Sequence, residues 1–138
     1  HGTVQGMAGL YHQIELWARN GYWADLCTLL VRNGFVVYVT SDHGNVESHG
    51  IGRPSEGALA EERGERARIY PHQELRHQIK EKFPSSNEWS SVGLPNDYLP
   101  LLASGRDAFV STGKTVVGHG GASLEEVIVP LIRIEGNE

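Results

Sequence analysis

A chain of 138 residues with 39% apolar and 21% charged side chains can bury a core, so one globular domain over residues 1–138 is expected and disorder is excluded. The net charge of −5 offers no bulk attraction to a phosphate backbone. Cys27 is the only cysteine, which excludes an internal disulfide and fits a reducing, cytoplasmic setting, and no apolar run is long enough to cross a bilayer.

In chain order, residues 7 to 32 carry helical spacing in two blocks. Leu10, Ile14 and Trp17 follow one another at steps of four and three, Gly21 interrupts, and Leu26, Leu29 and Leu30 resume the pattern. Cys27 falls in the second block, where an inert buried thiol is expected. "RNG" at 32 to 34 is a helix stop, with a cation in the last turn and glycine beyond. Phe35 to Thr40 is continuously apolar and β-branched, the pattern of a strand buried on both faces, so a βαβ arrangement with a parallel sheet is expected. Residues 44 to 70 turn glycine-rich and then charged ("EGALAEERGERARIY"), which reads as a solvated helix or loop. Pro71 to Lys82 is a short amphipathic helix ended by Pro84, and 84 to 98 is loop. Two short strands, Asp107 to Ser111 and Thr115 to Gly118, are joined by a "TGK" turn. Ser123 and Glu126 match a capping box, which starts a short helix, and Val127 to Ile134 returns to the sheet with Pro130 at its entry. The three tryptophans read as packing residues, and His12, His72 and His77 as surface positions.

The chemistry concentrates in "VVYVTSDHGNVESHG", residues 36 to 50, where an apolar strand ends in Asp42, His43 and Gly44. In open α/β sheets, ligands bind where strand ends and loops gather. A carboxylate oxygen and a neutral imidazole nitrogen both suit Zn²⁺ or Mn²⁺, and Gly44 would allow a backbone angle closed to other residues. His119 ends another apolar strand 76 residues later and is followed by Gly120 and Gly121. Side chains at 42, 43 and 119 are therefore expected to converge on one pocket. The alternative is that Asp42 caps a turn and both histidines make ordinary hydrogen bonds.

The longer phrases carry a resemblance. "VTSDHGN" is similar to the metal-binding strand end of the alkaline phosphatase superfamily. Together, "TSDHGNVESHGIGRPSEGALAEERGERARIY", "GLP" and "HGGASLEEVIVPLIRIE" resemble the PglZ family of BREX and Pgl phage-defence systems. The resemblance implies a partial alkaline-phosphatase-like α/β fold, a mostly parallel sheet with flanking helices, and two divalent-metal sites, Zn²⁺ or Mn²⁺. It implies that Asp42 and His43 bind one metal and His119 the other. His1 fits the final histidine of an upstream ligand element whose aspartate would lie before this chain. The chain opens "HGTVQG" and is expected to be the C-terminal portion of the domain, with the nucleophile and a further aspartate ligand contributed upstream. Alone it should fold, bind metal weakly and turn over little substrate. Arg53, Arg63, Arg66 and His49 are the candidate substrate-binding residues, because a guanidinium can grip a phosphate with two hydrogen bonds.

The function implied is metal-dependent hydrolysis of a phosphoester, with nucleotides and nucleic acid among the candidate substrates, beside other phage-defence proteins and away from membranes. The rival expectation is a non-catalytic, metal-stabilised interaction module in a phage-defence complex.

Overall fold

A computed structural model describes residues 6–55 and 62–136, the side chains of Glu62 and Arg63 excepted. The two helical blocks form α1 (Gly6–Arg19) and α2 (Tyr22–Arg32), broken at Gly21 as the spacing predicts. Cys27 is buried. Next come β1 (Val37–Thr40), β2 (Val46–Gly50), β3 (Glu62–Arg63), β4 (Ala67–Tyr70), α3 (Gln73–Lys82) and β5 (Asn87–Glu88). The chain continues with β6 (Leu99–Leu102), β7 (Asp107–Ala108), β8 (Thr115–Gly118), α4 (Leu124–Val127) and β9 (Leu131–Ile134). Among the described residues, no helix is long and apolar enough to cross a membrane.

The strands make a two-stranded β1-β9 ribbon, a three-stranded sheet ordered β7-β2-β8, and a four-stranded sheet ordered β3-β4-β6-β5. The expected mostly parallel sheet is not what forms. Among the described residues, only β2 and β7 pair in parallel, and every other pairing is antiparallel. The physical reason is visible at α3. That helix carries the chain from β4 to β5, as a crossover between parallel strands would, but β6 inserts between them and makes both contacts antiparallel.

The strand at Phe35 to Thr40 is likewise corrected. β1 begins at Val37, and its residues alternate between half-buried and exposed, with Tyr38 61% exposed. It has β9 on one edge and α2 against one face, so the second face meets no described element that would bury it. The charged region read as helix or loop contains two strands, β3 and β4, while its residues 56–61 lie outside the described set. β2, β5 and β6 also arise where no strand was expected.

The core forms between α3 and the four-stranded sheet. Tyr70, Ile79, Leu101, Ala103 and Phe109 are buried together, and Ile51, Leu75, Phe83 and Leu99 pack against them. Tyr70 pairs with Leu99 across β4 and β6, and Arg68 with Leu101, which puts that side-chain set toward α3. Ala67, Ile69, Pro100 and Leu102 alternate onto the opposite face. Phe83 meets Phe109 edge-on, ring centres 5.7 Å apart.

β2 joins this core to the rest because Gly50 lies against the chain at Val110 and Ser111, where a β-carbon would overlap the Ser111 carbonyl oxygen. Gly50→Ala is therefore expected to destabilise the protein by about 1–3 kcal/mol, measured by urea unfolding. A change within about 0.5 kcal/mol would show that the strand end can shift freely.

Candidate metal centre

Register explains how residues 76 apart come together. β2 and β8 are antiparallel, with Val46 opposite Gly118, so the residues just before β2 adjoin those just after β8. His43 and His119 occupy those two segments. Their rings stack with centroids 3.8 Å apart and planes 16° from parallel. Both residues are half-buried.

Asp42 stands beside them at the surface. Its Oδ1 accepts a hydrogen bond from the His43 backbone N–H at 3.0 Å, which fixes the carboxylate against its neighbour. Its Oδ2 lies 3.6 Å from His43 Nε2. On the far side of the ring, His43 Nδ1 is 2.9 Å from the Gly44 carbonyl oxygen. A carbonyl only accepts, so Nδ1 carries a proton, and in the neutral tautomer the Nε2 lone pair faces Asp42. Two acceptors 3.6 Å apart are complementary to a cation held between them, and two ligand atoms of a tetrahedral zinc are separated by about 3.4 Å. The donor set therefore fits a divalent ion, with the Gly44 carbonyl orienting the imidazole as metal-binding histidines require.

Near-parallel rings cannot both direct in-plane lone pairs at one point. His43 and His119 are consequently suited to two separate ions and not to a shared one. Among the described residues, no group of three or more His, Cys, Asp or Glu side chains is arranged around one metal position.

Glu126 organises this corner. Its carboxylate takes a two-pronged hydrogen bond from Arg66, with Nη2 at 2.7 Å and Nε at 3.0 Å, and both side chains are completely buried. The same carboxylate accepts the backbone N–H of Gly121 at 2.8 Å and of Ser123 at 3.1 Å, the latter within the capping box of α4. Meanwhile its backbone carbonyl accepts the Gly44 N–H at 2.8 Å. One residue thus ties the segment after His43 to the segment after His119. Gly44 serves this closeness: its φ is not positive, contrary to the sequence reading, but a β-carbon there would overlap the Glu125 carbonyl oxygen.

The other predicted site residues fall elsewhere. Arg66, expected to grip a phosphate, is enclosed by Glu126 and the Asp107 carbonyl and cannot reach a ligand. His49 sits at the opposite end of β2, its ring 3.3 Å from the Thr115 hydroxyl, and does not join the histidine pair. Arg53 is exposed in the loop after β2. Arg63 belongs to β3, and its side chain lies outside the described set, as does all of His1.

Sequence reasoning missed Arg106. It lines a groove of about 760 Å³ with His43, Gly44 and Asn45, bonded to Glu125 at 3.0 Å and to the Glu47 carbonyl at 3.2 Å. Nothing in the "SGRDA" context around it distinguished it from a surface arginine.

The domain is a mixed α/β arrangement with small sheets that sets an Asp-His turn and a histidine-glycine turn side by side. Residues 11–134 match the BREX system PglZ alkaline phosphatase-like domain, and the chain belongs to the PglZ family. Neither a curated protein nor a solved structure shows significant similarity to it.

Burial pushes the Glu126 carboxyl upward, but hydrogen bonds from Arg66, Ser123 and Gly121 outweigh it and hold its pKa at about 2, against 4.5 ordinarily. The folded state thus favours the carboxylate. Its contribution, on the order of 3 kcal/mol, is complete above the ordinary value and is lost as pH falls through it toward about 2. Glu126→Gln should flatten the acid limb of a stability–pH profile measured by urea unfolding. At neutral pH it should cost about 3–5 kcal/mol, because Arg66 is left buried without its partner. An unchanged acid limb would show that Glu126 does not organise the corner.

Proposed function

We propose that this chain supplies Asp42 and His43 to one divalent ion and His119 to a second, in a phosphoesterase centre that works in phage defence beside other proteins of a BREX system. The observation that carries the reading is the stacked His43–His119 pair with the Asp42 carboxylate at its edge. Two-metal phosphoesterase sites hold their ions roughly 4 Å apart, and rings this close can serve neighbouring ions. Two such ions, Zn²⁺ or Mn²⁺, would supply Lewis-acid stabilisation of the attacking and leaving oxygens of an in-line displacement.

The chain's own residues orient and select. His43 donates from Nδ1 to the Gly44 carbonyl, which orients the ring and leaves Nε2 as the atom that would bind a cation. Asp42 is held by the His43 amide and adds negative charge at the rim. Arg106 lines the His43 groove and joins Arg53 and Arg63 as a candidate to grip the phosphate, Arg66 being enclosed. With two donors for the first ion and one for the second, weak metal binding by this set alone is the expectation.

A second reading, the metal-stabilised interaction module, draws on a different observation. Tyr11, Ile14 and Trp17 of α1, Tyr38 of β1 and Leu131 of β9 are all exposed apolar side chains, available to a partner surface.

The two readings separate on Asp42→Ala in the longest natural form of the protein. The side chain is 87% exposed, so the fold should be unaffected. Hydrolysis of bis(p-nitrophenyl) phosphate with Mn²⁺ or Zn²⁺ should fall by about 100-fold or more, equivalent to roughly 2.7 kcal/mol of barrier. Undiminished hydrolysis would remove Asp42 from the centre, and preserved phage defence without any hydrolysis would favour the interaction module.

A further inference from the structure

The histidine pair has a groove on each side, and the two differ in character. The one beside His119, about 530 Å³, is floored by the face of the four-stranded sheet turned away from α3. Ala67 and Ile69 of β4 lie opposite Leu102 and Pro100 of β6, and all four line it. Trp89 and Tyr98 line it as well, and the turn His119, Gly120, Gly121 and Ala122 forms its rim. Among the described residues, no Asp, Glu, Lys or Arg lines this groove.

Three features limit what can fill it. None of the described side chains that line it is cationic, so an apolar part of a ligand suits its interior and the charged part its rim. Gly120, Gly121 and Ala122 keep its rim free of bulk. Trp89 is 51% exposed, against the expectation that it packs, yet its backbone is anchored on both sides. Its N–H donates to the Pro100 carbonyl at 3.0 Å, and its own carbonyl accepts from Arg76 at 3.0 Å. A half-open indole on a fixed backbone is a stacking platform.

We propose that this groove is a subsite for a planar, uncharged aromatic ring carried by the phosphoester, seated against Trp89 and Tyr98 with the ester linkage at His119. The inference rests on the phosphoesterase reading and extends it to the substrate: a nucleobase or an aryl group is the ring, and an alkyl ester lacks what the groove recognises.

The test compares adenosine 5′-monophosphate, phenyl phosphate and butyl phosphate by calorimetric titration with Mn²⁺ present. Trp89→Ala and Ala122→Leu are the variants, both at exposed positions that folding should tolerate and that thermal unfolding can check. Ring-bearing esters should bind more tightly than butyl phosphate. Trp89→Ala should cut that preference about tenfold, the size of one lost base–aromatic stack. Ala122→Leu should cut it as well, by filling the groove from its open side. Tighter binding of the nucleotide assigns a nucleobase to the groove, and tighter binding of phenyl phosphate assigns an aryl group. Equal affinities for all three esters, or a preference untouched by both variants, would overturn the subsite. Hydrolysis without ring preference sinks the subsite and leaves the phosphoesterase reading standing. Ring preference in a protein that hydrolyses nothing supports the subsite and counts only against catalysis.

Discussion

The fold around the histidines depends on one buried ion pair. Arg66 and Glu126 are both withdrawn from water, a placement that carries a desolvation cost of several kcal/mol per ion. What offsets it is the completeness of the bonding: two bonds between the charges, two backbone amides on the carboxylate, and a carbonyl on the guanidinium. Those partners belong to the turn after His119, the start of α4, and β7. The Glu126 backbone then reaches the turn after His43. An apolar pair of the same volume could fill the space. It could not bond the Gly121 and Ser123 amides.

Arginine does comparable work elsewhere. Arg68 donates to the Phe109 carbonyl at 3.1 Å from within the core, and Arg76 to the Trp89 carbonyl at 3.0 Å. Each satisfies a backbone oxygen that no strand neighbour takes up. Such burial is possible because a guanidinium offers five donors in a fixed fork, and its stem packs as hydrocarbon.

That use of arginine explains where the sequence misled. "ERGERARIY" has the look of a solvated, charge-laced helix, yet Arg66 and Arg68 point inward from a bend and a strand that the core requires. "VESHG" hid a strand for a related reason: Val46, Ser48 and Gly50 are its buried set, and two of those three carry no apolar signal. Helices fared better, because α1, α2, α3 and the capping box of α4 are written in local spacing and end signals. The meeting of residues 43 and 119 was legible from the motif phrases. The register that produces it was not, since an antiparallel ladder between β2 and β8 leaves no mark within either segment.

The same ladder makes the histidine stack sensitive to sheet geometry. A slip of one residue between β2 and β8 would turn every side chain of the moved strand to the other face, exposing Val46 and Ser48 and carrying the flanking turn out of line. The buried faces of these strands therefore set the spacing of the rings, and Glu126 holds the turns in which they sit. On one side of the pair lie Arg106, Glu47 and Glu125; on the other, an apolar sheet face with Trp89 and Tyr98. A ligand spanning the stack meets charge at one end and a ring-stacking surface at the other, and only one orientation satisfies both. On the proposed reading, selectivity would come from the groove walls, while Arg106 and the ions held by the histidines and Asp42 would meet the charge common to every phosphoester.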